Sequence, residues 1–269
     1  MPDPSEPASD SGTVGRFERP RAFEFCLGFS LFVFLVWSLE RVGVSVKAVL
    51  EGLPNMAKKV DDMTPPDFER VQPVLLKLLE TLQIAFVGTV AGILISLVLA
   101  VFAAQSTSPH PFLRMVVRGF ISFLRTVPDL VWAIFFVASV GLGPFAGTLT
   151  IMVDTIGFCG RFFAEGMDET EKGPQDALKA LGAKRSAVIF AAIYPACIPS
   201  FTNTSSFALE KAVRSSVVLG LVGAGGIGIE LKVAMDFFAY QQACTIILCI
   251  FILVLAVEQL SLYIRNRSA

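Results

Sequence analysis

The sequence is poor in charge. Only 17% of its 269 residues are Asp, Glu, Lys or Arg, against roughly 25% in an ordinary soluble domain. Basic and acidic residues nearly cancel, 22 against 23, for a formal net charge of -1. No global basic field is therefore available to draw in nucleic acid. Histidine occurs once, at His110, in a Pro-flanked stretch that reads as a solvated turn. No H-E-x-x-H is present and no two acids pair within one apolar run, so neither a metal site nor an intramembrane hydrolase is indicated. The five cysteines, Cys26, Cys159, Cys197, Cys244 and Cys249, form no C-x-x-C pair and stand mostly among apolar neighbours. They read as small packing residues rather than as a disulfide framework or thiolate ligands. No G-x-x-x-x-G-K-[ST] occurs, so the chain has no P-loop with which to bind and split ATP.

What is abundant is hydrocarbon. Hydrophobic residues make up 54% of the chain and the mean hydropathy is +0.67. Four long intervals hold no charge at all: Glu24 to Glu40, Glu80 to Arg114, Asp129 to Asp154, and Asp236 to Glu258. A membrane helix needs about 20 apolar residues, and these intervals predict four. Two weaker spans contain polar residues, Pro144 to Phe163 with Asp154, and Ile193 to Leu221 with Pro195, Pro199, Asn203, Glu210 and Arg214. The expectation is an all-α integral membrane protein of about six spans, near 22–39, 81–104, 119–142, 144–163, 195–221 and 241–262. The start of the third, around Arg118 and Arg125, reads as an interfacial helix running into the membrane, with a kink at Thr126-Val127-Pro128.

Lys and Arg placement orients the spans. Arg16, Arg19 and Arg21 precede the first, Arg114 and Arg118 lie between the second and third, and Lys172, Lys179, Lys184 and Arg185 lie between the fourth and fifth. Arg265 and Arg267 follow the last. The positive-inside rule then puts both termini in the cytoplasm and leaves the segment 41–78 outside, with a turn at Pro65-Pro66. Residues 1–20 read as a disordered, Pro- and Ser-rich cytoplasmic tail, 21–80 as a first membrane helix with its outer loop, and 81–269 as the core. The late apolar run, with no small-residue cleavage site after it, reads as an uncleaved anchor rather than a signal peptide.

Within the second span Gly88, Gly92, Ser96, Ala100 and Ala104 recur every four residues. Such a small-residue stripe lets helix backbones approach closely in lipid. Glu210 and Arg214 are spaced to pair on one helix face. Ionisable groups at membrane depth face a partner or water. Two readings follow for this helix, which also carries Thr202, Asn203, Thr204, Ser205 and Ser206. It lines a hydrophilic pathway, or the ion pair locks the bundle. Asp154 admits the same two readings. The run Gly223-Ala224-Gly225-Gly226-Ile227-Gly228 matches G-x-G-x-x-G literally but follows a membrane helix rather than a strand. It reads as an outer, close-packed glycine turn, not a dinucleotide site.

Between the fourth and fifth spans, over 165–194, Gly173-Pro174 opens a short helix, Gly182 stops it, and a second helix follows to Ile193 before Pro195 restarts the chain into the membrane. This segment resembles the EAA loop of ABC importer permeases, whose pattern is E-A-A, three residues, G, nine residues, I-x-L-P. Asp176, Ala177 and Leu178 stand at the E-A-A positions, Gly182 at the glycine and Pro195 at the proline, while Ala192 and Tyr194 replace Ile and Leu. VASVGLGPFAGTL at 137–149, the preceding PDLVWAIFFV, VRSSVVLGLVGAGGIGIEL at 213–231, and TLQIAFVGT at 81–89 resemble the permease subunit of phosphonate-type ABC importers.

The resemblance implies a type I importer permease bundle in a bacterial inner membrane, and no enzymatic activity in this chain. It further implies a second permease, a copy or a paralogue, and two ATPase subunits that bind ATP and Mg and dock on the loop around Asp176 to Gly182. A substrate-binding protein would dock outside. Phosphonate, phosphate or a related oxyanion would move by alternating access, with Asn203, Glu210, Arg214 and Asp154 as the candidate pathway residues. A different small solute, or a passive anion channel, is the alternative reading.

Overall fold

The computed structural model describes residues 22–43 and 45–268. The tail expected over 1–20, with Arg16 and Arg19, and Arg21 beside it, lie outside the described residues. The chain divides into two compact units, residues 1–58 and 59–269.

The first unit holds α1 (Ala22–Val42) and most of α2 (Val46–Asp62). From Glu24 to Val42, α1 is long and apolar enough to cross a membrane, and its large side chains, from Phe25 to Leu39, are exposed. The segment expected as an outer loop therefore contains a helix. Val49, Leu50, Leu53, Met56 and Val60 recur at three- and four-residue spacing on one side of it, apart from Glu51, Lys58 and Lys59, an amphipathic pattern that its balanced charge disguises.

The second unit is all-helical among the described residues: α3 (Val71–Ala103), α4 (Pro111–Thr126), α5 (Asp129–Val140), α6 (Pro144–Asp168), α7 (Lys172–Ala180), α8 (Arg185–Val188), α9 (Tyr194–Gly220), α10 (Ile227–Asp236) and α11 (Tyr240–Ser268). Helix α3 starts ten residues before the expected Thr81, because Val71 to Glu80 continue its apolar face through Val74. At 33 residues it is about 50 Å long, well beyond the roughly 30 Å hydrocarbon core.

The third expected span is broken. Pro128 offers no N–H and forces Val127 extended, at ψ 121. Helices α4 and α5 consequently meet at 88°. At 12 residues, α5 reaches only about 18 Å. The fifth span is also longer than expected. Pro195 does not restart the chain. The helix runs from α8 through a π-turn at Ile189–Ile193 directly into α9. The proline ring at 195 would clash with the carbonyl four residues earlier, and a wider turn relieves that clash.

Four helical stretches are long and apolar enough to cross a membrane, five if α4 and α5 count as one span. Helix α6 is not among them, because Asp154, Arg161 and Glu165 interrupt it. It is instead the most enclosed helix, packed by α3, α4, α5 and α9. The small-residue stripe of α3 makes that enclosure possible, since all five of its residues are buried. A Cβ added at Gly88 would lie 2.8 Å from the Ile151 side chain, and one at Gly92 would lie 2.5 Å from the Thr155 Cβ. Ser96 completes the seam, its Oγ donating to the Gly92 carbonyl at 2.7 Å. Phe163, Met167, Ile193, Cys197 and Phe201 fill the core near the α7 end, and Ile84, Ile151, Val213 and Leu219 fill it near the opposite end. Cys159 and Cys197 are buried packing residues, whereas Cys26 is exposed.

Gly92→Val is expected to destabilise the bundle by about 1–3 kcal/mol through overpacking. Gly119→Ala, with nothing within 4 Å of the added carbon, is expected to be neutral or stabilising by up to about 1 kcal/mol. Thermal unfolding of the two detergent-solubilised variants checks this, and equal melting temperatures would refute the seam.

Candidate functional site

The charged residues at membrane depth converge where α5, α6 and α9 meet. Lys211 of α9 donates to both carboxylate oxygens of Asp154 on α6, each at 2.8 Å. Beside it, Glu210 and Arg214 form the ion pair that their spacing predicts, at 2.9 Å. Asp129, in the first turn of α5, accepts from Ser215 Oγ at 3.0 Å. Its position also suits the positive end of the α5 dipole. Glu210 is buried, while the Arg214 side chain is 46% exposed. Phe158 stacks on Phe207 and lies beneath the Lys211 ammonium at 5.5 Å.

Of the expected pathway residues, Asp154, Glu210 and Arg214 are thus drawn into one neighbourhood. Asn203 is exposed on α9, about 12 Å along the helix from Lys211. Sequence reasoning missed Lys211 and Asp129. The signal for Lys211 was present, because Asp154 is the lone acid in its apolar run and a buried carboxylate requires a cation.

The loop over 165–194 forms a small knob. Gln175 is buried, its Nε2 donating to Thr170 Oγ1 at 2.9 Å and to the Glu171 carbonyl at 3.1 Å. This fixes α7 against the end of α6. Gly182 ends α7 with φ +77. Its N–H bonds the Lys179 carbonyl at 2.9 Å, and the Ala183 N–H bonds the Leu178 carbonyl at 3.0 Å. Those two bonds are the Schellman pattern, which a residue with a Cβ closes only under strain. Asp176 is exposed and pairs with Lys179 at 2.9 Å, Ala177 is exposed and Leu178 half-buried. Leu181 and Phe190 are 84% and 70% exposed, so the knob presents apolar surface outward. Arg185 ties it to the neighbouring loop by donating to the Ser108 carbonyl. His110, in that loop, caps α4 by accepting the Phe112 N–H on Nδ1.

At the other end of α9 the glycine run packs closely. Gly223, Gly225 and Gly226 have φ of +91, +88 and +77. A Cβ on Gly225 would meet Pro144 at 2.8 Å, and one on Gly228 would strike the Val217 carbonyl oxygen. The N-terminus of α10 is capped from α3, where Glu80 Oε1 accepts the Gly226 N–H at 2.9 Å and Thr81 Oγ1 accepts the Ile227 N–H at 2.7 Å. A carboxylate is favoured there by the helix dipole. Among the described residues no group of His, Cys, Asp and Glu is arranged as a metal site.

Residues 85–267 match the family described as the inner membrane component of binding-protein-dependent transport systems, and the chain belongs to that family. It is 36% identical over 218 residues to the phosphite transport system permease protein PtxC of Stutzerimonas stutzeri, spanning 81% of this chain and 79% of that protein. Over 206 residues it is 36% identical to the phosphate-import permease protein PhnE of Mycolicibacterium smegmatis, spanning 76% of this chain and 39% of that protein. Among solved structures, the MetNI methionine ABC transporter in an inward-facing conformation matches with a TM-score of 0.66 at 24% identity, over 76% of this chain and 100% of that one. That likeness shows the fold, the type I importer permease bundle. The chain is a membrane permease subunit, a transport component that works with ATPase and substrate-binding partners and is not itself catalytic.

Lys211→Met strands Asp154 and is expected to cost about 2 kcal/mol, whereas Lys211→Met combined with Asp154→Leu recovers most of it. A double-mutant cycle on thermal unfolding in detergent measures the coupling, and additive losses would show that the pair is not an interaction.

Proposed function

We propose that this permease carries phosphite, phosphate, phosphonate or a related oxyanion by alternating access. The observation that carries the reading is the half-exposed Arg214 guanidinium beside Lys211 on the polar helix of the bundle, in a chain whose relatives are named for phosphite and phosphate transport. A guanidinium forks onto tetrahedral oxyanions, keeps its charge at any physiological pH and is weakly hydrated. The buried Glu210 holds Arg214 in place without covering all of its donors.

In this reading two permease subunits, copies or paralogues, enclose the pathway between them, and the core 81–269 is the translocating part. Two ATPase subunits, which bind ATP and Mg, dock on the knob. Asp176 and the exposed Ala177 and Leu181 contact them, and Gly182 and Pro195 shape the knob and its junction with α9. A binding protein delivers the solute on the opposite side, near Gly223, Gly225, Gly226 and Gly228. Both termini lie in the cytoplasm. ATP-driven closure of the ATPases pushes the knobs and rocks the bundles to open outward.

Reconstitution of the permease with its ATPase and binding protein into proteoliposomes tests the substrate. ATP-dependent uptake of labelled phosphite or phosphate over methionine is expected, and uptake of methionine alone, or oxyanion flux without ATP, would overturn the reading. The knob has its own test. Asp176→Arg reverses an exposed charge, and Gly182→Val places a β-branched residue at φ +77, a strain of about 1–3 kcal/mol. Each is expected to lower uptake at least about tenfold while the purified permease stays folded. Wild-type uptake in both would refute the docking role.

A further inference from the structure

One face of α6 remains uncovered between α4 and α9. Asp154, Phe158, Arg161, Phe162 and Glu165 fall on it within an arc of about 100°. On one side Gly157 and Gly160 let α4 approach, so that a Cβ at Gly157 would lie 2.9 Å from Arg125 Cγ. On the other side Lys211 and Phe207 of α9 close over Asp154 and Phe158. The result is a groove leading from the midmembrane ion pairs toward the knob, with Arg161 about 10 Å beyond Asp154.

The cations along this groove differ in how they are satisfied. Lys211 is held by both oxygens of Asp154. Arg118 gives Nε to the Ala103 carbonyl and Nη2 to Asp168. Arg161 gives only Nε, to Glu165 at 2.7 Å, and is 54% exposed. Arg125 has no carboxylate partner among the described residues, and its guanidinium lies 5.9 Å from the Phe162 ring centroid. Arginine cannot shed its proton. Two guanidinium groups therefore present free N–H donors along one groove, one of them beside the Phe162 ring. A pocket of about 230 Å³ lies at this level, bordered by Arg118, Ser122, Arg161 and Glu165. Three guanidinium groups, Arg118, Arg125 and Arg161, face two carboxylates here, Glu165 and Asp168, so positive charge is in excess. That excess suits a phosphorus oxyanion leaving Arg214.

We propose that Arg125 and Arg161, with the Ser122 hydroxyl, form an inner oxyanion station on the knob side of the groove, which receives the anion from the midmembrane cluster before release. The proposal rests on the oxyanion reading above. Handing a charged solute between successive guanidinium sites lets each bind it weakly enough to release it, while never leaving it unpaired in a low dielectric.

The test uses the assembled importer in proteoliposomes, with phosphite as the transported probe and co-purification of the ATPase subunits as the measure of assembly. Arg125→Gln and Arg161→Gln are each expected to slow ATP-driven phosphite uptake at least about tenfold, as the loss of one charge-assisted contact does. Arg125→Lys and Arg161→Lys, which keep the charge and lose the fork, are expected to recover part of the rate. Phosphate loaded inside the vesicles should slow wild-type uptake by occupying the station, and about tenfold more should be needed in Arg161→Gln. Should the Gln variants not assemble, the same shift is sought in the Lys variants, where inhibition identical to wild type overturns the station. Wild-type uptake in the assembled Gln variants overturns the station alone. Absence of any oxyanion uptake by the wild type overturns the substrate reading and the station with it.

Discussion

The contact between α3 and α6 governs what the rest of the bundle can carry. A membrane helix facing lipid has to be apolar, because nothing outside it can satisfy a charge. Helix α6 is enclosed over most of its surface and pairs its charges on the rest, Asp154 with Lys211 and Arg161 with Glu165; enclosure at close range depends on Gly88 and Gly92, where any side chain would collide with Ile151 and Thr155. With α3 seated so closely along one side, α6 leaves Asp154 and Arg161 on the part of its surface that α3 does not cover, between α4 and α9. Where polar groups stand along α6 thus depends on how closely α3 packs beside them. The two glycines contribute no chemistry, yet they set where the chemistry can stand.

Much of this was legible in the sequence. The four-residue stripe announced a close helix contact and the charge-free intervals announced the apolar helices. Pro128 announced the break, and Gly182 the end of α7. The partner of the stripe was not legible, because a period of four says that a face is smooth but not what lies against it. Helix α2 was hidden for a different reason. Its Lys58, Lys59, Asp61 and Asp62 are the residues of a solvated loop, and its apolar positions are too sparse to outweigh them. Pro195 does not restart the chain, because a π-turn absorbs its ring within one continuous helix, and no local pattern announces that turn.

The polar site was read only in part. Glu210 and Arg214 are four apart on one helix, so local geometry predicts their pairing. Asp154 and Lys211 are 57 residues apart, and Asp129 and Ser215 are 86 apart. Those pairs exist because three helices cross, which no local periodicity encodes. Asp154 carried a demand for a cation, but only the fold selects Lys211 over Arg214 to meet it. The glycine run shows the same limit. Its turn geometry was legible, but its capping by Glu80 and Thr81 from a helix some 146 residues earlier was not.

These elements are joined by one continuous rod. From Arg185 to Gly220 the chain forms a single helical stretch of 36 residues, about 54 Å long. It starts in the knob, passes the stacked Phe207, carries Glu210, Lys211 and Arg214, and ends in the glycine turn. Its ladder of hydrogen bonds is interrupted twice, at the π-turn at Ile189–Ile193 next to the knob and at Pro199, which has no N–H to donate. Helical rods transmit tilt and translation, whereas wide turns are where they yield. In the alternating-access reading, a push on the exposed Leu181 and Phe190 surface would be absorbed first at these two interruptions. Beyond Pro199, the midmembrane charges and the glycine turn would move together. With α10 pinned to α3 through Glu80 and Thr81, the far end of the rod would pivot against a fixed point, and the uncovered face of α6 is the space that such a pivot would widen or narrow.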